Sequence, residues 1–247
     1  FRPTTNGVVV SIETFRAELE RQGHHVDIVT PWVPRAPRRE RGVYRVPSRP
    51  LPTNKDYRWS TISARAFTVL MRKLKPDVIH SHHLFRLGGL AIRAGRQLNI
   101  PVVQTYHTLI TEYVHHVPII RWLAETAWLA WLAGPVRRLA QNLIIGRSRS
   151  FLNRVAHVIT PSPSIANLLT SYGVTRPMMV IPTGIELKDF ATCATNDELR
   201  AKGIDPTRPF VCFIGRLGQE KNVMMLLKAF AWLRDQLSVA DQNLQLV

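Results

Sequence analysis

Apolar residues at Val8, Ile12, Phe15 and Leu19 recur at helical spacing and predict a helix over Val8–Arg21, with Gly23 placed to cap it. His25–Pro31 predicts a short strand. Residues 31–57 are rich in proline and arginine and predict a loop carrying one strand, Val43–Val46. Trp59–Leu74 predicts a helix closed by Pro76. Asp77–His82 and Val102–His107 predict strands on either side of a helix at Leu87–Leu98. Residues 108–155 predict a long helical region broken at Pro118 and at Gly134-Pro135. After it come a strand at Val158–Ser162, a helix at Ile165–Tyr172 and a strand at Met178–Pro182.

Strands that alternate with helices and are apolar nearly throughout argue for a parallel sheet covered on both faces. The predicted fold class is therefore α/β, with residues 1–184 forming a Rossmann-like domain. Residues 185–208 are polar and predict a linker. A buried strand at Phe210–Arg216 and an amphipathic helix at Val223–Leu237 then predict the start of a second Rossmann-like domain over 209–247. So short a stretch cannot bury a core alone. With Phe1 first and the strand-like Leu244–Val247 last, both ends are expected to be cuts through a longer chain.

A content of 45% hydrophobic and 20% charged residues excludes a disordered chain. The most apolar stretch, Val117–Ala133, contains Arg121 and Glu125 and does not predict a spanning helix. Two cysteines, Cys193 and Cys212, predict reduced thiols and a cytoplasmic setting. The charge changes the picture more: 33 Lys and Arg against 17 Asp and Glu give a net charge of +16. Arg35, Arg38, Arg39, Arg41, Arg45 and Arg49 face one acid, Glu40, and Arg137, Arg138, Arg147, Arg149 and Arg154 face none within 137–154. Such clusters suit a solvated surface or anionic lipid headgroups. Nucleic acid is not expected, because helix-turn-helix, zinc-finger and RNA-motif patterns are all missing from the sequence.

Ligands of open parallel sheets bind beyond the carboxyl ends of the strands, where this chain collects its polar residues. Asn6-Gly7 precede the first helix, whose N-terminus suits an anion and whose glycine admits close approach. The ordinary reading is a helix-entry turn with Asn6 as N-cap. Tyr106-His107-Thr108 ends a strand, and histidine there can donate a hydrogen bond or carry a proton. His80, His82 and His83 end the neighbouring strand, but no cysteine or carboxylate stands beside them at ligand spacing, so no metal is expected. Gly215-Arg216 ends a strand and Lys221-Asn222 begins a helix. An arginine fork and a lysine point charge can hold a diphosphate there, or can simply be exposed cations.

Taken in order, Phe1-x-Pro3, Asn6-Gly7-Val8, Gly23-His24, Thr105-Tyr106-His107-Thr108, Thr160-Pro161-Ser162, Pro182-x-Gly184-Ile185-Glu186 and Gly215-Arg216…Glu220-Lys221-Asn222 resemble the family 4 retaining glycosyltransferases of the GT-B fold. Within them, Tyr106-His-Thr-Leu109…Tyr113-Val-His115 resembles the bacterial diacylglycerol glucosyltransferases and related glycolipid synthases. The resemblance implies transfer of a hexose from a nucleotide sugar, such as UDP-glucose, to a membrane glycerolipid with retention. It implies that Gly7 approaches the donor diphosphate through backbone amides, and that Arg216 and Lys221 bind it. His107 is the implied catalytic contact to the transferred sugar, with Asn6, Tyr106 and Ser162 near sugar or acceptor. Cations at the leaving diphosphate imply that no metal or other cofactor is needed. A peripheral position on the inner face of the cell membrane follows from a lipid acceptor. The family's spaced pair of glutamates is expected beyond residue 247, which makes this chain inactive alone. Two alternatives stay open: a GT-B enzyme with a soluble acceptor, and a non-catalytic basic α/β module that binds membrane or nucleic acid.

Overall fold

The computed structural model describes residues 1–3, 6–37, 39–51, 54–107, 130–185, 187, 191–215, 217, 221–236 and 243–247. They fall into two compact units, 1–185 and 186–247.

The first unit opens on α1 (Gly7–Arg21), whose N-cap is Asn6: its side-chain oxygen accepts the Val9 N–H at 3.0 Å. Two parallel strands follow, β1 (Ile28–Pro31) and β2 (Val43–Val46). The arginine- and proline-rich stretch then holds an antiparallel pair, β3 (Ser48–Leu51) and β4 (Asn54–Ser60), where the sequence predicted a loop and an early helix. Trp59 is therefore a strand residue, paired in register with Arg49. Contacts distant in sequence hold it: the Arg58 guanidinium lies 5.4 Å over the Trp32 ring and donates to the Ser48 carbonyl at 3.3 Å. Helix α2 (Ala64–Leu74) starts only where Ser63 caps it, accepting the Ala66 N–H at 3.1 Å.

Strands β5 (Ile79–Ser81), β6 (Val102–Thr105), β7 (His157–Thr160) and β8 (Met178–Val180) form a parallel sheet in that order. Its connections are α3 (Arg86–Leu98), α4 (Ala130–Leu152), preceded by residues outside those described, and α5 (Pro163–Ser171). Helix α4 runs through Gly134-Pro135, where the sequence predicted a break. A proline there forgoes a single backbone hydrogen bond, which the rest of the helix outweighs. The core of the sheet is Ile92, Val102, Phe151, Leu152, Val158 and Leu169. A second cluster, Phe67, Met71, Leu90 and Ala94, holds α2 against α3. Helix α3 approaches the end of β5 so closely that a Cβ at Gly88 would stand 1.9 Å from the His83 carbonyl oxygen. Glycine at 88 is thus what allows the helix to seat the histidine-bearing strand end.

In the second unit, β9 (Phe210–Val211) pairs in parallel with β10 (Gln245–Leu246), and α7 (Val223–Gln236) lies between them in sequence. The polar stretch predicted as a linker contains a short helix, α6 (Asn196–Ala201), closed by a capping box between Thr195 and Glu198. It also bonds into this unit: Gln245 accepts the Asp205 N–H at 3.0 Å and donates to the Asp205 carbonyl at 2.8 Å.

Candidate active site

Side chains alternate along strands, and this sorts the polar residues at the carboxyl ends of β5 and β6. Val102, Gln104 and Tyr106 share one side of β6 and are buried, whereas Thr105 and His107 take the other. On the neighbouring strand His80 and His82 stand two residues apart and meet them in pairs. His80 Nε2 lies 2.6 Å from the Thr105 hydroxyl, and His82 Nδ1 lies 2.8 Å from His107 Nε2. The His80 and His82 rings are 4.2 Å apart, and Phe15 of α1 packs on both, at 5.6 and 6.4 Å. The helix whose start carries Asn6-Gly7 thereby contacts the histidine cluster through Phe15.

Burial holds all three of these histidines below the ordinary imidazole range. His80 is pushed down to about 4 by burial and then by His107, and His82 still further by burial and then by His80 and His107. His107 is lowered by burial alone. At neutral pH the cluster is uncharged, which suits hydrogen-bond donation and acceptance rather than anion binding.

An unfolded chain takes up protons on these imidazoles below about pH 6.5, the folded one only at lower pH, and for His80 only near about 4. Stability is therefore fully present above about pH 6.5 and falls as pH drops towards about 4, the folded value for His80. Each excluded proton costs about 1.4 kcal/mol per pH unit in that window. Denaturant midpoints measured from pH 7.5 to 5 should fall. Midpoints that stay flat across that range would contradict the buried, neutral cluster.

The other candidate residues take varied places. Asn6 spends its side-chain oxygen on the cap of α1. A Cβ added at Gly7 would meet nothing within 4 Å, so neither packing nor backbone conformation demands glycine there and the helix start is open. No acidic residue of the first turn competes for that end. Tyr106 is 2% exposed, and its ring belongs to the core with Val102, Phe151 and Leu152. Ser162 is the N-cap of α5, its hydroxyl accepting the Ile165 N–H at 3.4 Å. Lys221 is exposed just before α7. Arg216, Thr108 and the stretch holding Tyr113, His115 and Trp122 lie outside the described residues.

Sequence reasoning singled out His107 and, separately, the histidines of β5, but not their pairing. The signal was the matched two-residue spacing of His80-x-His82 and Thr105-x-His107 on strands that turn out to be neighbours. Among the described residues no group of three or more His, Cys, Asp or Glu is arranged to hold a metal ion.

The parallel sheet thus carries a histidine cluster at the carboxyl ends of two neighbouring strands. The chain matches the structure of a sucrose-phosphate synthase from Thermosynechococcus elongatus with a TM-score of 0.62 at 20% identity, over 92% of this chain and 55% of that one. The fold is thus α/β of the GT-B glycosyltransferase type. Residues 5–189 match Glycosyltransferase Family 4, and the chain belongs to that family. It is 34% identical over 235 residues to an alpha-monoglucosyldiacylglycerol synthase of Streptococcus pneumoniae, covering 93% of this chain and 50% of that protein. A protein of the same name from Acholeplasma laidlawii is 27% identical over 93% of this chain and 57% of its own length. A GDP-mannose-dependent alpha-mannosyltransferase of Mycobacterium tuberculosis is 30% identical over 90% of this chain and 55% of its own. The chain spans about half the length of these curated relatives.

Proposed function

We propose that the full-length protein carrying this chain transfers a hexose, with retention, from a nucleotide sugar such as UDP-glucose to a membrane glycerolipid. The observation that carries this reading is the 34% identity to a protein named for glucosyldiacylglycerol synthesis, extending over nearly the whole chain. Under it, His107 contacts the transferred sugar, and Gly7 offers backbone N–H groups to the donor diphosphate. Arg216 and Lys221 meet the charge that develops on the departing nucleoside diphosphate, so the reading needs no metal or other cofactor. Incubating the full-length protein with diacylglycerol in mixed micelles and a panel of nucleotide sugars tests it. Glycolipid should form with UDP-glucose. Transfer only from GDP-mannose would move the assignment toward the mannosyltransferase relatives, and transfer only to soluble sugar phosphates would overturn the lipid acceptor.

The proposal places the protein in the cytoplasm, peripherally on the inner face of the membrane. Among the described residues no helix is long and apolar enough to cross a membrane. What supports surface binding is the outer side of α4. Leu139 and Leu143, 61% and 60% exposed, are one turn apart, and Arg137, Arg138, Arg147 and Arg149 are exposed on the same helix. Each cation near an anionic surface contributes on the order of 1 kcal/mol. The protein should therefore pellet with anionic vesicles and release as salt rises. Equal, negligible pelleting with neutral and anionic vesicles at low salt would leave the basic face without this role.

A further inference from the structure

We propose that His82 is a positioning residue for His107: its Nδ1, 2.8 Å from His107 Nε2, holds the His107 ring in one tautomer and leaves Nδ1 of His107 as the atom free to meet substrate. The inference rests on the reading of His107 as the sugar-contacting residue and adds a second histidine to it.

The two rings lie nearly parallel, 23° between planes and 5.1 Å between centroids, so the nitrogen-to-nitrogen line runs close to the ring planes where N–H bonds and lone pairs point. A neutral imidazole has one N–H and one lone pair. One ring must donate and the other accept, so the proton position on His107 is locked to that on His82. Which nitrogen of a histidine carries the proton is set by the hydrogen bond that the other nitrogen makes.

His82 is itself held in place. Phe15 packs on it at 6.4 Å, and His80 lies 4.2 Å away with its own Nε2 anchored 2.6 Å from the Thr105 hydroxyl. The chain of contacts therefore runs from α1 through Phe15 to the histidine pair, and from Thr105 through His80 to the same ring. Burial keeps His80 and His82 uncharged near neutral pH, so the donor–acceptor pattern is not scrambled by protonation. A ring that swings freely about χ2 would present either nitrogen to a sugar hydroxyl. A ring tied at Nε2 presents Nδ1 only.

The experiment uses the full-length protein, labelled with nitrogen-15 at histidine, in wild-type form and as His82→Phe and His82→Asn. Phenylalanine keeps an aromatic ring against Phe15 and His80 but has no nitrogen, and asparagine returns a polar atom near the Nδ1 position. Two-bond nitrogen–proton spectra should show wild-type His107 in one neutral tautomer. In His82→Phe they should show a mixture, with kcat down about tenfold, donor KM within about twofold and most of the rate recovered in His82→Asn. A wild-type His107 that averages both tautomers overturns the proposal without any variant. So does an unchanged His107 tautomer in His82→Phe, or full kcat in that variant. The spectra need no substrate: if wild-type protein transfers no hexose, the functional reading falls while the tautomer result still decides the pairing.

Discussion

Changing Arg216 or Lys221 to alanine in the full-length protein should cut turnover by on the order of 30- to 1,000-fold. In the sequence, Arg216 and Lys221 flank a short stretch between a strand-like run and a helix-like one, and Lys221 is exposed just before α7. Negative charge builds on the diphosphate as the glycosidic bond breaks, so a fixed cation is worth more in the transition state than in the bound donor. Losing one such contact costs about 2–4 kcal/mol of transition-state stabilisation. The loss should fall on kcat more than on KM, because an interaction strengthened only in the transition state is what disappears. Activity within about threefold of wild type in both variants would remove the pair from the donor site.

His107→Ala should abolish most transfer while leaving nucleoside diphosphate affinity nearly intact. His107 stands at the carboxyl end of β6 in the first unit, held at Nε2 by His82. Its free nitrogen is uncharged near neutral pH and suits a sugar hydroxyl, not a diphosphate. A rate loss on the order of 10²-fold or more is expected for removing a group that orients the reacting sugar. Titration with nucleoside diphosphate separates the roles: affinity that falls as steeply as the rate would make His107 a nucleotide-binding residue.

The parallel sheet was readable because its short strands alternate with helices and are set off by Pro, Gly and helix caps, as at Val102–Thr105 after Pro101. Those signals are local. The β3–β4 hairpin was not readable, since Arg58 stacked over Trp32 joins residues 26 positions apart, and the aromatic Trp59 fits a helix pattern as well as a strand. Gly134-Pro135 predicted a break, but one missing hydrogen bond does not stop a helix that continues to Leu152. At the site, His107 was legible as a polar residue at a strand end. The motif reading treated Tyr106 and His107 as a unit, and it carried no signal that strand alternation would turn the Tyr106 ring into the core. The His82–His107 bond depends on which strands are neighbours, and no stretch of sequence shorter than residues 79–107 contains that information. Arg216 and Lys221 were read from a resemblance in their spacing rather than from any contact.

Under the proposed function, the full-length protein retains the anomeric configuration while glycosylating a glycerolipid. The measurement that tests it most directly is proton NMR of the glycolipid made by the full-length protein from an α-linked nucleotide sugar and diacylglycerol. An α-linked hexose on the glycerol is the predicted product. A β-linked hexose, or a lipid recovered unmodified while a soluble acceptor is glycosylated, would contradict it.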